Sequence, residues 1–432
     1  MKKAAFYTLG CKVNQYETEA MTELFSKAGY EICDFDGYAD IYVINTCTVT
    51  SMSDRKSRQI IRRAKKHNPN AVVAVTGCYA QTAPEAVGSI EGVNLVVGTK
   101  DRKNIVSLVE EISSDTFKNA VSDIMSTHEF EELSVKTYHG RTRAYIKIQE
   151  GCNQFCSYCI IPYARGPIRS RPFGEVLAEV NRLSLEGFTE VILAGIHVAS
   201  YGADLGDCSL SKLINEVNKI KGIRRIRLSS IEPMTLNKEF IDGIKSCDKL
   251  CRHFHISLQS GCDETLRRMN RKYTCDEYEN IVIGLRENFP EVAITTDIMV
   301  GFPGETEEEF KKTCEFAKKI KFAEAHVFQY SQRQGTPAAA RPDQVPAEIK
   351  EMRSKEIIKI TNQTKEEYQK SFLGKTVEVL FEQPCHSFDG CFEGKTDNYL
   401  TVIVPTKQKL SGEYHNVLPE EITPHGIMGK LV

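Results

Sequence analysis

Cys152, Cys156 and Cys159 stand in the segment EGCNQFCSYCIIPYARGPIRSR (150–171), spaced C-x3-C-x2-C. Three thiolates this close, in a loop opened by glycine and followed by proline, can converge on one metal centre. Soft sulfur ligands select iron–sulfur clusters, zinc or copper(I). The count of three is informative. A four-iron cluster has four iron corners, so three protein ligands leave one iron open to a small molecule. A closed zinc site wants a fourth Cys or His nearby, and none follows within ten residues of Cys159.

Three further cysteines lie tens of residues apart: Cys11 in TLGCKVNQYE, Cys47 in NTCTVT and Cys78 in TGCYAQ. Each directly follows an apolar run that reads as a strand, at 4–9, 40–46 and 71–76, with a fourth strand at 94–98. Helical patterns at about 14–28, 53–67 and 101–112 lie among them. Continuous apolar strands separated by helices predict a parallel sheet covered on both faces. The carboxyl ends of such strands share one rim, where ligands bind. The three cysteines are therefore expected to meet there as a second three-cysteine cluster, rather than to be three unrelated buried thiols. Residues 55–67 hold Arg55, Lys56, Arg58, Arg62, Arg63, Lys65 and Lys66 with no acid. This reads either as a solvated helix face or as a phosphate-binding surface beside that cluster. Residues 113–140 are mixed and polar, and read as a linker.

From residue 143 strands are expected at 144–149, 190–195, 224–230, 253–260, 294–300 and 322–330. Amphipathic helices fit at about 173–187, 209–220, 236–246, 274–288, 306–320 and 346–370. Six β/α units predict an incomplete parallel barrel with its chemistry at the carboxyl ends of the strands. The C-x3-C-x2-C loop follows the first of these strands. The same rim takes Gly195 in LAGIHVASYG, Ser257 and Gln259 in HISLQSG, and Gly301 and Gly304 in DIMVGFPGET, together with Glu232, Asp297 and Glu305. Arg165, Arg169 and Arg171, and the knot Arg267, Arg268, Arg271 and Lys272, either hold RNA phosphate or pair with acids. The nine remaining cysteines, Cys247 and Cys251 among them, lack a three-ligand spacing and read as ordinary thiols.

At 432 residues the chain is expected to form two or three domains. A hydrophobic share of 41% with 26% charged residues suits a soluble globular protein. The net charge of −2 gives no global pull on nucleic acid, so a basic footprint must be local. The opening MKKAAFYTLGCKVNQYE is too short an apolar run for a signal peptide. No run approaches the ~18 apolar residues of a membrane span. Fifteen cysteines without export predict a reducing, cytoplasmic setting and no membrane. Residues 371–432 change character, with strands expected at 372–382, 390–404 and 414–423. They predict a small all-β barrel, a shape used against single-stranded or looped RNA. This tail is acidic, with five Lys and no Arg against eight Asp and Glu; only PTKQKL (405–410) is basic.

The cysteine spacing, with Tyr158 just before the last Cys, resembles the signature of the radical S-adenosylmethionine (SAM) enzymes. The order of cysteine-bearing α/β domain, barrel and small β-barrel resembles the methylthiotransferase family over essentially the whole chain. TLGCKVNQYETEA, EGCNQFCSYCIIPYARG and HISLQSGCDETLRRMNR are most similar to the members acting on threonylcarbamoyladenosine beside the tRNA anticodon. The resemblance implies an α/β chain in three parts. These are an open parallel α/β sheet domain (1–135), a partial (β/α)6 radical-SAM barrel (141–370) and a small TRAM-like all-β barrel (371–432). It implies two 4Fe–4S clusters, an auxiliary one on Cys11, Cys47 and Cys78 and a SAM-cleaving one on Cys152, Cys156 and Cys159. Tyr158, Gly195, Ser257, Gln259, Asp297 and Gly301 would contact SAM. The implied reaction uses SAM twice and places a methylthio group on carbon 2 of the adenine. Its partners would be the tRNA anticodon stem-loop, an electron donor such as flavodoxin or ferredoxin, and a sulfur donor. The nearest other readings act on isopentenyladenosine in tRNA or on an aspartate of a ribosomal protein. A non-catalytic iron–sulfur protein that binds RNA or transfers electrons is a reading of another class, which an assay for 5′-deoxyadenosine separates.

Overall fold

The computed structural model describes residues 1–133, 135 and 142–432. The amino-terminal part runs β1 (Lys3–Thr8), α1 (Lys12–Lys27), β2 (Glu31–Cys33), β3 (Ile41–Thr46), α2 (Ser51–His67), β4 (Val72–Gly77), α3 (Cys78–Thr82), α4 (Pro84–Gly88), β5 (Leu95–Val96), α5 (Ile105–Glu110) and β6 (Lys118–Asn119). The strands form one parallel sheet in the order β2-β1-β3-β4-β5-β6. Because side chains alternate along a strand, Ala5, Tyr42, Ile44, Val73 and Val75 fill one core, and Ala4, Ile41, Val43, Ala74 and Leu95 fill another on the opposite face. That is the doubly covered sheet expected from continuous apolar strands. Residues 113–133 of the expected linker are not free chain. Lys118 and Asn119 pair with β5, and Leu133 and Val135 are buried in the core of the next layer. Residues 134 and 136–141, where the expected boundary falls, lie outside the described residues.

The middle part runs β7 (Arg143–Glu150), α6 (Ile161–Arg165), β8 (Arg169–Ser170), α7 (Phe173–Leu185), β9 (Glu190–Gly195), α8 (Leu210–Asn218), β10 (Arg225–Leu228), α9 (Lys238–Ile244), β11 (His253–His255), α10 (Asp263–Arg268), α11 (Cys275–Asn288), β12 (Ala293–Val300), α12 (Glu307–Ile320), β13 (Glu324–Gln329) and α13 (Ala347–Lys370). Parallel ladders join β7, β9 and β10, and join β11, β12 and β13. Bridges Ile226–Leu250 and Ile231–Ile256 connect the two sets, giving six parallel strands curled into an open barrel. The strand expected over 253–260 ends at His255. Gln259 has a left-handed φ of 67°, which breaks the extended run.

The carboxyl-terminal part is a closed antiparallel-rich barrel of β14 (Val377–Pro384), β15 (Cys391–Lys395), β16 (Thr401–Pro405), β17 (Tyr414–Thr423) and β18 (Gly426–Leu431), in the order β14-β15-β16-β18-β17. The run expected as one strand over 390–404 is a hairpin, turned at Tyr399 with φ 69°. β18 escapes the sequence reading because its short run is interrupted by Gly426 and Gly429. This barrel caps the amino ends of the larger barrel's strands. Arg225 pairs with Glu378 at 3.1 Å, Arg252 with Asp397 at 2.6 Å, and Arg143 with Glu382. Much of the tail's acidity is thus spent on barrel arginines. No helix among the described residues is long and apolar enough to cross a membrane.

Candidate active site

Cys11, Cys47 and Cys78 follow the carboxyl ends of β1, β3 and β4. Local contacts draw these ends together. Asn14 Nδ2 donates to the Leu9 carbonyl at 2.8 Å and to the Thr46 carbonyl at 3.0 Å, tying the two loops. Gly10 has φ 109°, and a Cβ there would stand 2.9 Å from Cys47 Cβ, so only glycine lets the two loops approach. Gly77, at φ 96°, would likewise drive a Cβ into the Thr46 carbonyl. Burial first, with Arg165 opposing it and Cys47 and Cys11 adding to it, pushes the Cys78 thiol up to about 11. The three sulfurs therefore share one electrostatic neighbourhood.

The second triad lies in the loop between β7 and α6. Gly151, with φ 74°, packs its Cα against the Pro167 carbonyl, where no side chain fits. Burial raises Cys159 to about 12, with Cys156 adding to it, and raises Cys152 to about 11. Arg271 Nη1 is 3.3 Å from Cys156 Sγ and its Nη2 is 3.4 Å from Glu232. His197, beside Gly195, is held near 4 by burial and by Arg271, so its ring is neutral. Gln259 Oε1 and both His197 ring nitrogens are buried without a hydrogen-bond partner among the described residues.

A buried ionic hub fixes one triad against the other. Arg165, completely buried at the end of α6, sends Nε to Cys78 Sγ at 3.1 Å and Nη2 to Asn14 Oδ1 at 2.6 Å, and pairs with Glu17 through Nη1. Glu150 accepts from Lys147 at 2.9 Å, Arg102 at 3.2 Å and Arg169 at 3.3 Å. Arg102 also reaches Glu131 at 2.6 Å. Four cations thus meet three carboxylates, and one of those cations, Arg165, lies beside Cys78. Arg165, Arg169 and Arg171 are buried on acids, Arg171 pairing with Glu179. None of the three is a surface for RNA phosphate. In the second basic knot, Arg268 pairs with Glu309, whereas Arg267 and Lys272 are exposed.

A cavity of about 830 Å³ opens between the layers. Gly10, Cys11, Lys12 and Val49 line it from the first sheet, Gly195, Ser229 and Asp297 from the barrel strands, and Tyr399 from the small barrel. Of the expected SAM contacts, Gly195 and Asp297 face it. Ser257 uses its carbonyl to accept from Tyr273 Oη at 2.9 Å. Tyr158 packs against Phe302 at 6.3 Å, and the Gly301 N–H donates to Glu305 Oε2 at 2.7 Å, so these two positions are engaged in packing and a tight turn. Glu305 also pairs with Arg353 at 2.7 Å and serves as a structural carboxylate.

Residues 146–317 match the radical SAM superfamily, and residues 3–98 match the group described as uncharacterized protein family UPF0004. The chain is 44% identical, over 98% of its length and 99% of the relative's, to the threonylcarbamoyladenosine tRNA methylthiotransferase MtaB of Bacillus subtilis. It is 37% identical, over 98% of its length and 90% of the relative's, to a tRNA-2-methylthio-N(6)-dimethylallyladenosine synthase of Acetivibrio thermocellus. The chain belongs to the radical-SAM methylthiotransferase family. Among solved structures, this methylthiotransferase shares its fold with the radical S-adenosylmethionine methyltransferase TsrM of Kitasatospora setae, at a TM-score of 0.58 and 16% identity, covering 78% of this chain and 74% of that one.

The radical SAM match implies one 4Fe–4S cluster and SAM. The donor set of the methylthiotransferase suits such groups. Each triad supplies three sulfurs, with a buried guanidinium beside one of them to offset thiolate charge. Among the described residues no three His, Cys, Asp or Glu side chains close on a single ion. Lys12, His197, His253, His255, His326 and Tyr399 are site residues that sequence reasoning did not single out. For His253, His255 and His326 the signal was alternation along short strands: residues 253 and 255, 295 and 297, and 324 and 326 all point into the lumen.

The basic helix α2 begins directly after Cys47, where Thr50 caps it by accepting from the Ser53 N–H at 3.2 Å. Arg58 donates to Tyr79 Oη at 3.2 Å, Arg63 pairs with Asp36, and Lys65 donates to the Ala71 carbonyl at 2.7 Å. Arg55, Lys56, Arg62 and Lys66 remain exposed.

Proposed function

We propose that this methylthiotransferase adds a methylthio group to carbon 2 of threonylcarbamoyladenosine next to the anticodon of tRNA. The observation that carries the reading is the shared cavity: Cys11 of one triad and the barrel rim residues Gly195 and Asp297 line the same space. A hydrogen-abstracting group and a sulfur carrier must act on one carbon, so both must reach one substrate position. The 44% identity to a relative named for this substrate, across nearly the full length of both chains, supports the choice of nucleoside.

In this reading Cys152, Cys156 and Cys159 hold the SAM-cleaving cluster, and Cys11, Cys47 and Cys78 hold an auxiliary one. Bound there, these groups and SAM supply a radical able to break an unactivated C–H bond and a sulfur atom for transfer. Arg271 and Arg165 stabilise the thiolate charge of each triad. Gly195 lets backbone approach SAM closely, and Gln259, Ser257 and Asp297 supply polar contacts around it, with Tyr158 and Gly301 shaping the loops behind. The exposed cations of α2 meet the anticodon-stem phosphates beside the cavity mouth. A flavodoxin- or ferredoxin-type electron donor and a sulfur donor complete the cycle, and a cytoplasmic setting suits them.

Mass spectrometry of tRNA nucleosides from cells with and without the gene tests the reading. The methylthio form of threonylcarbamoyladenosine should vanish and its precursor accumulate. Loss of methylthio-isopentenyladenosine instead moves the substrate to the dimethylallyl class, and an unchanged tRNA profile points to protein.

A further inference from the structure

The cavity lined by Cys11 and by the barrel rim residues Gly195 and Asp297 contains one basic side chain. Lys12, first residue of α1 and neighbour of Cys11, is the only Lys or Arg among the described residues that line it. Burial lowers the pKa of this amine most, Arg143 and Arg227 lower it further, and Tyr399 and Cys11 oppose them. The two cavity acids are engaged elsewhere: Asp297 stands 3.2 Å from His255, and Glu324 pairs with Lys365 at 2.6 Å. The neighbouring arginines are also committed, Arg227 to Glu190 at 2.8 Å and Arg143 to Glu382. Lys12 Nζ instead stands over the Tyr145 ring, 6.0 Å from its centroid. A half-buried ammonium with no ion-pair partner among the described residues gains from a ligand that brings a counter-charge.

We propose that Lys12 is the substrate-specificity residue, its ammonium binding the carboxylate that the threonylcarbamoyl group carries on N6 of adenosine. This rests on the substrate reading above. Threonine joined to N6 through its amino group keeps a free carboxylate, whereas the dimethylallyl group named for the 37% identical relative is a hydrocarbon. Carbon 2 and N6 flank N1 on one edge of the purine. With carbon 2 turned toward Cys11, the N6 substituent therefore lies within reach of the adjoining residue. A charge-assisted contact in an enclosed site also rejects a partner lacking the charge, because the lysine is then left unpaired.

The test uses reconstituted full-length enzyme and two tRNAs, one bearing threonylcarbamoyladenosine and one bearing its carboxyl methyl ester, and compares kcat/KM for methylthiolation. The wild type should favour the acid by about tenfold to a hundredfold. Lys12→Met should erase that preference, and Lys12→Arg should restore it. A folding or cluster-loading defect lowers both substrates alike and leaves the ratio unchanged, so the ratio reports on the contact itself. A wild type that treats acid and ester alike, or a Lys12→Met enzyme that keeps the wild-type ratio, overturns the assignment and leaves Lys12 as a counter-charge to Cys11. A wild type that converts neither tRNA overturns the substrate reading, and the assignment with it.

Discussion

Arg165 Nε lies 3.1 Å from Cys78 Sγ, although the arginine ends α6, just after the barrel's cysteine loop, and the cysteine follows the carboxyl end of β4 in the first sheet. One side chain thus touches a sulfur of one triad while its backbone continues from the loop of the other. Arg165→Ala strips Glu17 of a buried partner and should cost about 3–5 kcal/mol of stability. Arg165→Lys keeps the charge but not the planar fork, and should recover only part of that loss. Denaturant unfolding of the three proteins checks the order.

Glu17 gives the hub a pH signature. Burial pushes its carboxyl up from 4.5, but Arg102, Arg165 and Lys147 together outweigh burial and hold it below that value. A carboxylate depressed in the folded state contributes its stability in full above the unfolded value and loses it as pH falls through the folded one. Stability should therefore decline from about pH 4.5 downward. Glu17→Gln should be less stable at neutral pH and show a shallower decline in that acid window. Acid titrations followed by circular dichroism would decide; parallel curves would remove Glu17 from the account.

The two triads should separate in function. Cys156→Ala should abolish formation of 5′-deoxyadenosine from SAM. Cys47→Ala should retain that cleavage and fail to insert sulfur. Full methylthio product from the Cys47 variant would sink the auxiliary role of the first triad.

The outer face of α2 offers Arg55, Arg62 and Lys66 to solvent beside the Cys47 loop. Changing all three to Gln should weaken tRNA binding and flatten the slope of log affinity against log salt by about one unit per cation. The fold should be undisturbed, since these side chains are exposed. An unchanged salt slope would return the helix to the role of a solvated face.

Both proposed cysteine triads were drawn from the residues. One is a local spacing, and the other follows from the rule that parallel strands present their carboxyl ends on one rim. Strand and helix positions followed from apolar runs and caps for the same reason: they depend on neighbours a few residues away. Arg165, Arg169 and Arg171 were open to two readings because a run of arginines does not state its burial. For Arg165 the acid is also remote in sequence, Glu17 lying 148 residues away. The tail's acidity argued against an RNA grip, and packing explains it through Glu378, Glu382 and Asp397 docking on the barrel.

By itself the sequence determined the family and the layered α/β architecture, and it supplied the two proposed groups of three cysteines. These rest on short-range patterns and on strand-end topology. Only the tertiary structure decided which charges are spent inside the hub and which stay free. It alone turned Lys12 and Tyr399 into the same cavity as Gly195 and Asp297. The physical reason is that burial and pairing belong to contacts between distant segments, and a charge acquires its role from what stands opposite it.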